Sequence, residues 1–328
     1  MKILIVLVML LFTPFSYAND GRSDFISFTF ENDAFFRDDG LYTNGLIFSW
    51  GDNELSRLDR QTLPLWLAYL AQKSYLTSEP GKSYSVTYRL GHLLQTAIDL
   101  KATDLAAEDA PYVGLLAWNG QLSAYDDVRS DQLSLTLGAV GPLSGGEFVQ
   151  SNVHKVIGSK APQGWDHQID NELVLRLQAQ RLWRIYDQPL GGAEFDLLMG
   201  LQAGAGNLRS DIGAAVGLRW GIELTKNFSS ASAFPIKKFN NANNNAHGWY
   251  LFVNSSAFYV GNDIFMDGNT FQDSHSVALI HQQFAVSAGV MVDFQQWNFV
   301  YTLFQQSDQY QGQNEASRYG SITVSYNY

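Results

Sequence analysis

The sequence predicts an all-β fold: a closed antiparallel transmembrane β-barrel of about twelve strands, with a short helix in an outer loop. Three observations lead there. The chain opens with an export leader. No later segment reaches the run of about 18 apolar residues that a spanning helix needs. Apolar and polar residues alternate over stretches of about ten residues, again and again, which is the pattern of strands with one face in lipid.

The leader comes first. Lys2 supplies a short positive start, Ile3 to Phe12 is apolar, and Ser16-Tyr17-Ala18 is a small-x-small cleavage signal. The apolar run is too short to cross a bilayer as a helix. Residues 1–18 are therefore expected to be a signal peptide and 19–328 a single barrel domain, starting at Asn19. The net charge of −11 argues against a nucleic-acid partner. With no cysteine, thiolate metal sites and cysteine nucleophiles are excluded.

The strands follow in order. Tyr84, Val86, Tyr88 and Leu90 point one way, and Ser83, Ser85, Thr87 and Arg89 the other. Leu133, Leu135 and Leu137 alternate with Ser134, Thr136 and Gly138. Leu173, Leu175 and Leu177 alternate with Arg176 and Gln178, and Val216, Leu218 and Trp220 with Gly217 and Arg219. A soluble sandwich alternates too, but its wet face is usually richer in Lys and Glu. The polar set here is Ser, Thr, Gln, Gly and Arg, as in a barrel lumen. The expected strands are 25–31, 42–51, 83–91, 113–125, 132–141, 172–185, 194–205, 212–224, 249–260, 283–294, 297–307 and 317–328. That number is even, so the sheet can close and leave no edge unpaired in lipid. Segment 275–282 either lengthens the tenth strand or stands apart.

With the N-terminus on the periplasmic side, the outer connections are 32–41, 92–112, 142–171, 206–211, 261–282 and 308–316. The inner connections 52–82 and 225–248 are long for periplasmic turns. Leu55, Leu58, Trp66, Leu67 and Leu70 read as an amphipathic helix over 54–73 at the inner interface. Asn240 to Asn245 reads as a loop. The end, Ile322-Thr-Val324-Ser-Tyr326-Asn-Tyr328, resembles the C-terminal signal that the barrel-assembly machinery reads; an ordinary last strand would also alternate.

Three polar clusters fall on the outer rim: Glu31-Asn32-Asp33, Tyr42-Thr43-Asn44-Gly45, and the connection from Gly141 to Glu172. The last holds a predicted helix, Gly146 to Ile157, closed by Gly158. Val149, Val153 and Val156 share one of its faces, and Gln150 and His154, at i and i+4, share another. Such a helix can pack on the barrel and aim Gln150 and His154 at the strand ends. Asn32 has the parity of Ile26, Phe28 and Phe30, so a regular strand turns it toward lipid. Asp33 and Thr43 fall on the opposite parity unless the rim twists or bulges. Taken alone, Asn32-Asp33 reads as a turn and Thr43 as a plain strand residue.

At this point the residues carry a family likeness. Phe28-Thr-Phe-Glu-Asn-Asp33, Tyr42-Thr-Asn-Gly45, Asp109-Ala-Pro-Tyr-Val-Gly114, Val140-Gly-Pro142, Gln150-x-x-x-His154 and Gly164-Trp165…Gln168…Asn171-Glu172 resemble, in this order, the lipid A 3′-O-deacylase family of outer-membrane proteins. The resemblance implies a twelve-stranded barrel in the outer membrane of a Gram-negative envelope, with its active site on the outer-leaflet side. It implies lipid A, within lipopolysaccharide, as substrate and Ca²⁺ as cofactor. His154 matches the catalytic histidine; Asn32, Asp33 and Thr43 match essential rim residues; Gln150 matches a helix residue beside the histidine. The chain departs from the family where the prototype has a functional glutamate six residues after the histidine, since Lys160 stands there. Glu147, Asp166 or Glu172 would then supply the charge, or metal binding differs. Lys101 is the nearest counterpart of a loop lysine in the prototype.

Chemistry independent of the likeness gives the residues roles. Ester hydrolysis needs an activated water and a stabilised oxyanion. A histidine near its unperturbed pKa of about 6.5 is a suitable base. Ca²⁺ takes hard oxygen ligands, so Asp33 and amide or backbone oxygens could hold it, and Asn32 could bind the ion or donate to the oxyanion. Gln150 and Thr43 could orient the water or the histidine. The expected function is Ca²⁺-assisted deacylation of lipid A. Two alternatives stay open: an outer-membrane phospholipase, which needs a serine nucleophile that is not evident, and a non-enzymatic pore or scaffold, which would show a continuous charged lumen.

Overall fold

Alternation along the chain becomes two walls of one cylinder. The computed structural model describes residues 24–36, 41–77, 81–100, 102, 104–157, 162–225, 232–234, 248–314 and 316–328, with the backbone alone at 34, 36 and 153–157. Among these, twelve antiparallel strands form a closed barrel in which each strand pairs with its neighbours in sequence and β1 pairs with β12. The strands are β1 (Phe25–Asn32), β2 (Leu41–Leu55), β3 (Ser83–Thr96), β4 (Val113–Tyr125), β5 (Arg129–Val140), β6 (Glu172–Leu190), β7 (Ala193–Ala205), β8 (Arg209–Gly221), β9 (Trp249–Asp263), β10 (Gln282–Phe294), β11 (Trp297–Gln306) and β12 (Ser317–Asn327). Strand number and order follow the sequence expectation. The rim that carries Phe25 and Tyr328 is called proximal below, and the opposite rim distal. The expected signal peptide and Asn240 to Asn245 lie outside the described residues. Residues 275–281 form no strand beyond a single bridge, Leu279 to Tyr310, and Gln282 opens β10.

The outer wall is apolar. Leu175, Leu177, Leu201, Val216, Leu218, Val253, Val286 and Phe299 are exposed there. No described helix is long and apolar enough to cross a membrane, so the strands do the crossing. Aromatic residues gather at the proximal rim, where Trp220 meets Trp249 at 5.2 Å and Trp297 meets Tyr326 at 4.9 Å. Rings of this kind mark a bilayer interface.

The lumen is polar and paired. Arg219 Nε donates to Asp196 at 3.0 Å, Arg176 to Asp211 at 2.9 Å, and Arg209 to Asp263 at 2.7 Å. Arg89, fully buried, donates to Asn119 at 2.8 Å. Burying a charge is tolerated only when it is paired in this way.

The described parts of the two long proximal connections pack on opposite faces of the barrel wall. Between β2 and β3 lies helix α1 (Leu65–Lys73). The predicted helix over 54–73 is thus shorter than expected, because Pro64 caps it and disfavours the helical conformation in Leu63 before it. Leu67, Ala68 and Ala71 pack on Val86, Tyr88, Trp118 and Leu122 on the outside of the barrel. Leu65, Tyr69 and Leu70 remain exposed, and the partly exposed Trp66 ring lies 5.9 Å from that of Trp118. From the β8–β9 connection, Ala233 and Phe234 enter the lumen instead. Phe234 is buried against Leu182, Leu198, Ala215 and Phe258, and a Cβ on Gly200 would lie 2.6 Å from its ring.

At the distal mouth, helix α3 (Ile264–Asp267) follows helix α2 (Gly146–Ile157) in the chain and covers the lumen. Ile264, Phe265 and Met266 pack with Ile47, Leu93, Phe304, Tyr310 and Tyr319. Gln95 fixes the cap by donating to the Phe265 carbonyl at 2.7 Å. Just beneath it, the Tyr42 hydroxyl donates to Glu31, and the Tyr42 and Tyr319 rings lie 4.6 Å apart. This is not the continuous charged lumen that a pore would show.

Candidate active site on the outer wall

Strand register assembles the distal site. Asn32 pairs with Asn44 across β1 and β2, Asn44 with Leu94 across β2 and β3, and Leu94 with Gly114 across β3 and β4. On its other side Asn32 pairs with Gly320. Directly opposed residues on one face have Cβ atoms about 4.5–5.5 Å apart. These positions therefore form one row around the barrel. Asn32 keeps the parity of exposed Phe28, so the row is on the outer wall.

Thr43 reaches the same face through a bulge. The β2–β3 register skips between Tyr42 and Asn44, which inserts Thr43 as an unpaired residue. A bulge sets two residues against one and re-aims the side chains around it. The Thr43 hydroxyl lies 2.9 Å from that of Thr96 and 3.1 Å from the Leu41 carbonyl, to which it donates. The Asn32 amide nitrogen donates to the Thr43 carbonyl at 2.8 Å, tying β1 to the bulge. Asp33 is buried and opens a 3₁₀ turn, Asp33–Phe36. The parity conflict read from the sequence is thus resolved by the bulge at Thr43 and by the end of β1 at Asn32.

Two protein segments flank the row, and each is seated on a glycine. The 3₁₀ turn lays Phe35 over the wall, where a Cβ on Gly320 would lie 2.5 Å from its ring. On the other flank, α2 packs over β3 and β4. A Cβ on Gly114 would lie 2.2 Å from Ser144 Oγ and 3.1 Å from the Gly146 Cα. Gly145, in the left-handed region at φ 72°, reverses the chain between the turn at Pro142–Ser144 and α2. Val149 packs against Leu94, Ala97, Tyr112 and Trp165. Leu143 and Phe148 stay exposed on the outside.

Gln150 is fully buried, and its Oε1 accepts from Trp165 Nε1 at 2.6 Å, which locks α2 to the connection that follows it. His154 is one turn further along α2, and its side chain lies outside those described. Lys101, Gly158 and Lys160 also lie outside the described residues. Burial pushes the Tyr112 hydroxyl up to about 12, so it stays a neutral phenol beside Trp165.

The acidic candidates separate by partner. Glu172 accepts from Asn207 at 2.8 Å, Asn269 at 3.2 Å and the Thr270 backbone at 2.8 Å, bracing three distal connections. Glu147 and Asp166 are exposed. Among the described residues no group of three His, Cys, Asp or Glu could hold a metal. The donors at hand for a cation are oxygens: the amide oxygens of Asn32 and Asn44, and Asp33, which follows Asn32 in the chain. That donor chemistry fits Ca²⁺ better than a thiophilic or imidazole-seeking ion.

Sequence reasoning passed over Asn44 as a site residue, although it belongs to the Tyr42-to-Gly45 cluster. Counting parity back from Phe48 would have placed it beside Asn32. It also passed over His92, whose Nε2 is 2.9 Å from the Ser144 carbonyl beneath α2.

The model of a family described as outer membrane protein LpxR matches residues 3–328. In fold the chain is similar to LpxR from Salmonella typhimurium, at a TM-score of 0.74 and 14% identity, over 93% of this chain and 100% of that one. The translocator domain of the autotransporter NalP from Neisseria meningitidis aligns at a TM-score of 0.40 and 11% identity, over 93% of this chain and 87% of that one. No curated protein sequence matches the chain.

Proposed function

We propose that this chain, which belongs to the LpxR family of outer-membrane proteins, the lipid A 3′-O-deacylases, hydrolyses the 3′-linked acyloxyacyl ester of lipid A in the outer leaflet, with His154 as general base and Ca²⁺ as cofactor. One observation supports the reading: the polar row of Asn32, Thr43 and Asn44 faces outward at the distal rim, beside β3 and β4, over which the helix that bears His154 packs. A substrate whose acyl chains lie in the bilayer reaches such a row from the side, without entering the lumen.

In the proposed reaction, water adds to the ester carbonyl carbon while the His154 imidazole takes one of its protons. The carbonyl electron pair moves to oxygen. The oxyanion then collapses, the bond to the sugar oxygen breaks, and the imidazolium returns its proton to that oxygen. The products are a free 3′-hydroxyl and the acyloxyacyl acid. Bound Ca²⁺ would supply positive charge near the carbonyl, and Asp33 with the amide oxygen of Asn32 would hold it. Thr43 and Gln150 act as positioning residues, through the bulge and through Trp165 respectively. During biogenesis the barrel-assembly machinery would read the segment Ile322 to Tyr328.

The test is mass spectrometry of lipid A from cells with and without the gene, with Ca²⁺ present. The expected product lacks the 3′-acyloxyacyl chain, and His154→Ala gives none of it while migrating as a folded barrel. Unaltered lipid A, or a fully active His154→Ala, overturns the proposal.

A further inference from the structure

Within the outer-wall row the hydrogen-bond donors are unequally committed. The Asn32 amide nitrogen is bonded to the Thr43 carbonyl, and the Thr43 hydroxyl to the Leu41 carbonyl and Thr96. Asn44 is 2% exposed, yet among the described residues neither its Nδ2 nor its Oδ1 has a hydrogen-bond partner. Among the described residues it is the one buried side-chain amide with both polar atoms unpaired. Leaving buried polar groups unpaired costs stability, and such groups in a folded protein call for a functional explanation. Gln150 Nε2 is also unpaired, but its Oε1 ties that side chain to Trp165.

We infer that Asn44 is a catalytic residue that donates a hydrogen bond from Nδ2 to the ester oxyanion. The inference rests on the proposed deacylase reading and moves the oxyanion role from Asn32, whose amide nitrogen is engaged, to its cross-strand neighbour. As water adds and the carbonyl electrons shift to oxygen, that oxygen gains a full charge. A preorganised N–H aimed at it needs no reorganisation at that moment. A dry flank strengthens the effect, and Asn44 is shielded from water while its pairing neighbour Leu94 packs under α2.

The experiment compares full-length wild type, Asn44→Leu and Asn44→Asp, folded in detergent with lipid A. It reads kcat, KM, the Ca²⁺ midpoint and the melting of the folded barrel. Loss of one oxyanion donor predicts a fall in kcat of about 10²–10³-fold for both variants. KM and the Ca²⁺ midpoint should hold, and Asn44→Leu, freed of an unpaired amide, should melt no lower than wild type. Wild-type kcat in Asn44→Leu overturns the inference. So does Asn44→Asp keeping its kcat with a lowered Ca²⁺ midpoint, which would make Asn44 an ion ligand. A fall in kcat that tracks a fall in melting temperature overturns it too, in favour of a packing role. Wild type that releases no acyl chain defeats the underlying deacylase reading, and this inference with it. An active wild type with an active Asn44→Leu defeats the inference alone.

Discussion

The wall from β1 to β5 and the wall from β6 to β10 share one alternating pattern and use it differently. On the first, protein covers the outside. Helix α1 lies on it near the proximal rim and α2 near the distal rim, and the polar row sits between α2 and Phe35, which leans from the end of β1 onto β12. On the second, the outside is bare: Leu173, Leu201, Ile212, Val253 and Phe284 are exposed. Its added segment is inside, where Phe234 packs among Leu182, Leu198, Ala215 and Phe258. An apolar strand face is a surface for lipid or for a helix, and which one depends on what the connections bring to it. The wall with the covered outside holds the candidate chemistry; the other holds the stopper.

The contrast can be broken or sharpened by substitution. Arg219→Ala leaves Asp196 buried without its partner, and about 3–5 kcal/mol of stability should go. Folded protein should still hydrolyse at wild-type rates below its lowered melting temperature; lost activity without melting would show that the two walls are coupled. Gly114→Val forces a side chain against Ser144 and the Gly146 backbone. Shifting α2 by about 1 Å should reduce turnover about 10²-fold, with an overpacking cost of about 1–3 kcal/mol. Gly200→Val makes the matching intrusion on Phe234. It should leave turnover alone while costing about 1–3 kcal/mol of stability through overpacking; a folded but inactive variant would refute the division of labour.

The smallest effect belongs to Asp126, in the proximal turn between β4 and β5. Burial works against its charge, but the Val128 and Arg129 backbone N–H groups, with Lys82 and Arg129 nearby, hold its carboxyl below the ordinary value. A depressed folded pKa stabilises above the unfolded value and is lost as pH falls through the folded one. The advantage of wild type over Asp126→Asn should be full at neutral pH and fade below pH 3.8, the ordinary value. The side chain is 41% exposed, so water screens the pair and under about 1 kcal/mol is expected. An undiminished advantage in strong acid would assign it to packing.

The strands were legible because lipid enforces their pattern: outward residues must be apolar, and a period of two follows. β4 runs Val113–Tyr125 and α2 runs Gly146–Ile157, as read from alternation and from helical spacing after a glycine-rich break. Thr43 was less legible, since a two-for-one bulge leaves no trace in a period-two reading. The wall that α1 occupies was not legible at all. Val86, Tyr88 and Trp118 look the same in sequence whether acyl chains or Leu67 cover them. Phe234 had no periodic context in its connection. For Asn44 the sequence shows an amide but not whether its hydrogen bonds are made, and that depends on Asn32 and Thr43 having bonded to each other.

Phe234 and the cap at Phe265 fill the cylinder from within. An envelope is only as good a barrier as its leakiest component, and cells limit how many open channels they install. A cylinder stoppered by its own chain escapes that limit: its copy number can rise with demand for surface chemistry, and the envelope's resistance to small antibiotics and detergents is not diluted by its presence.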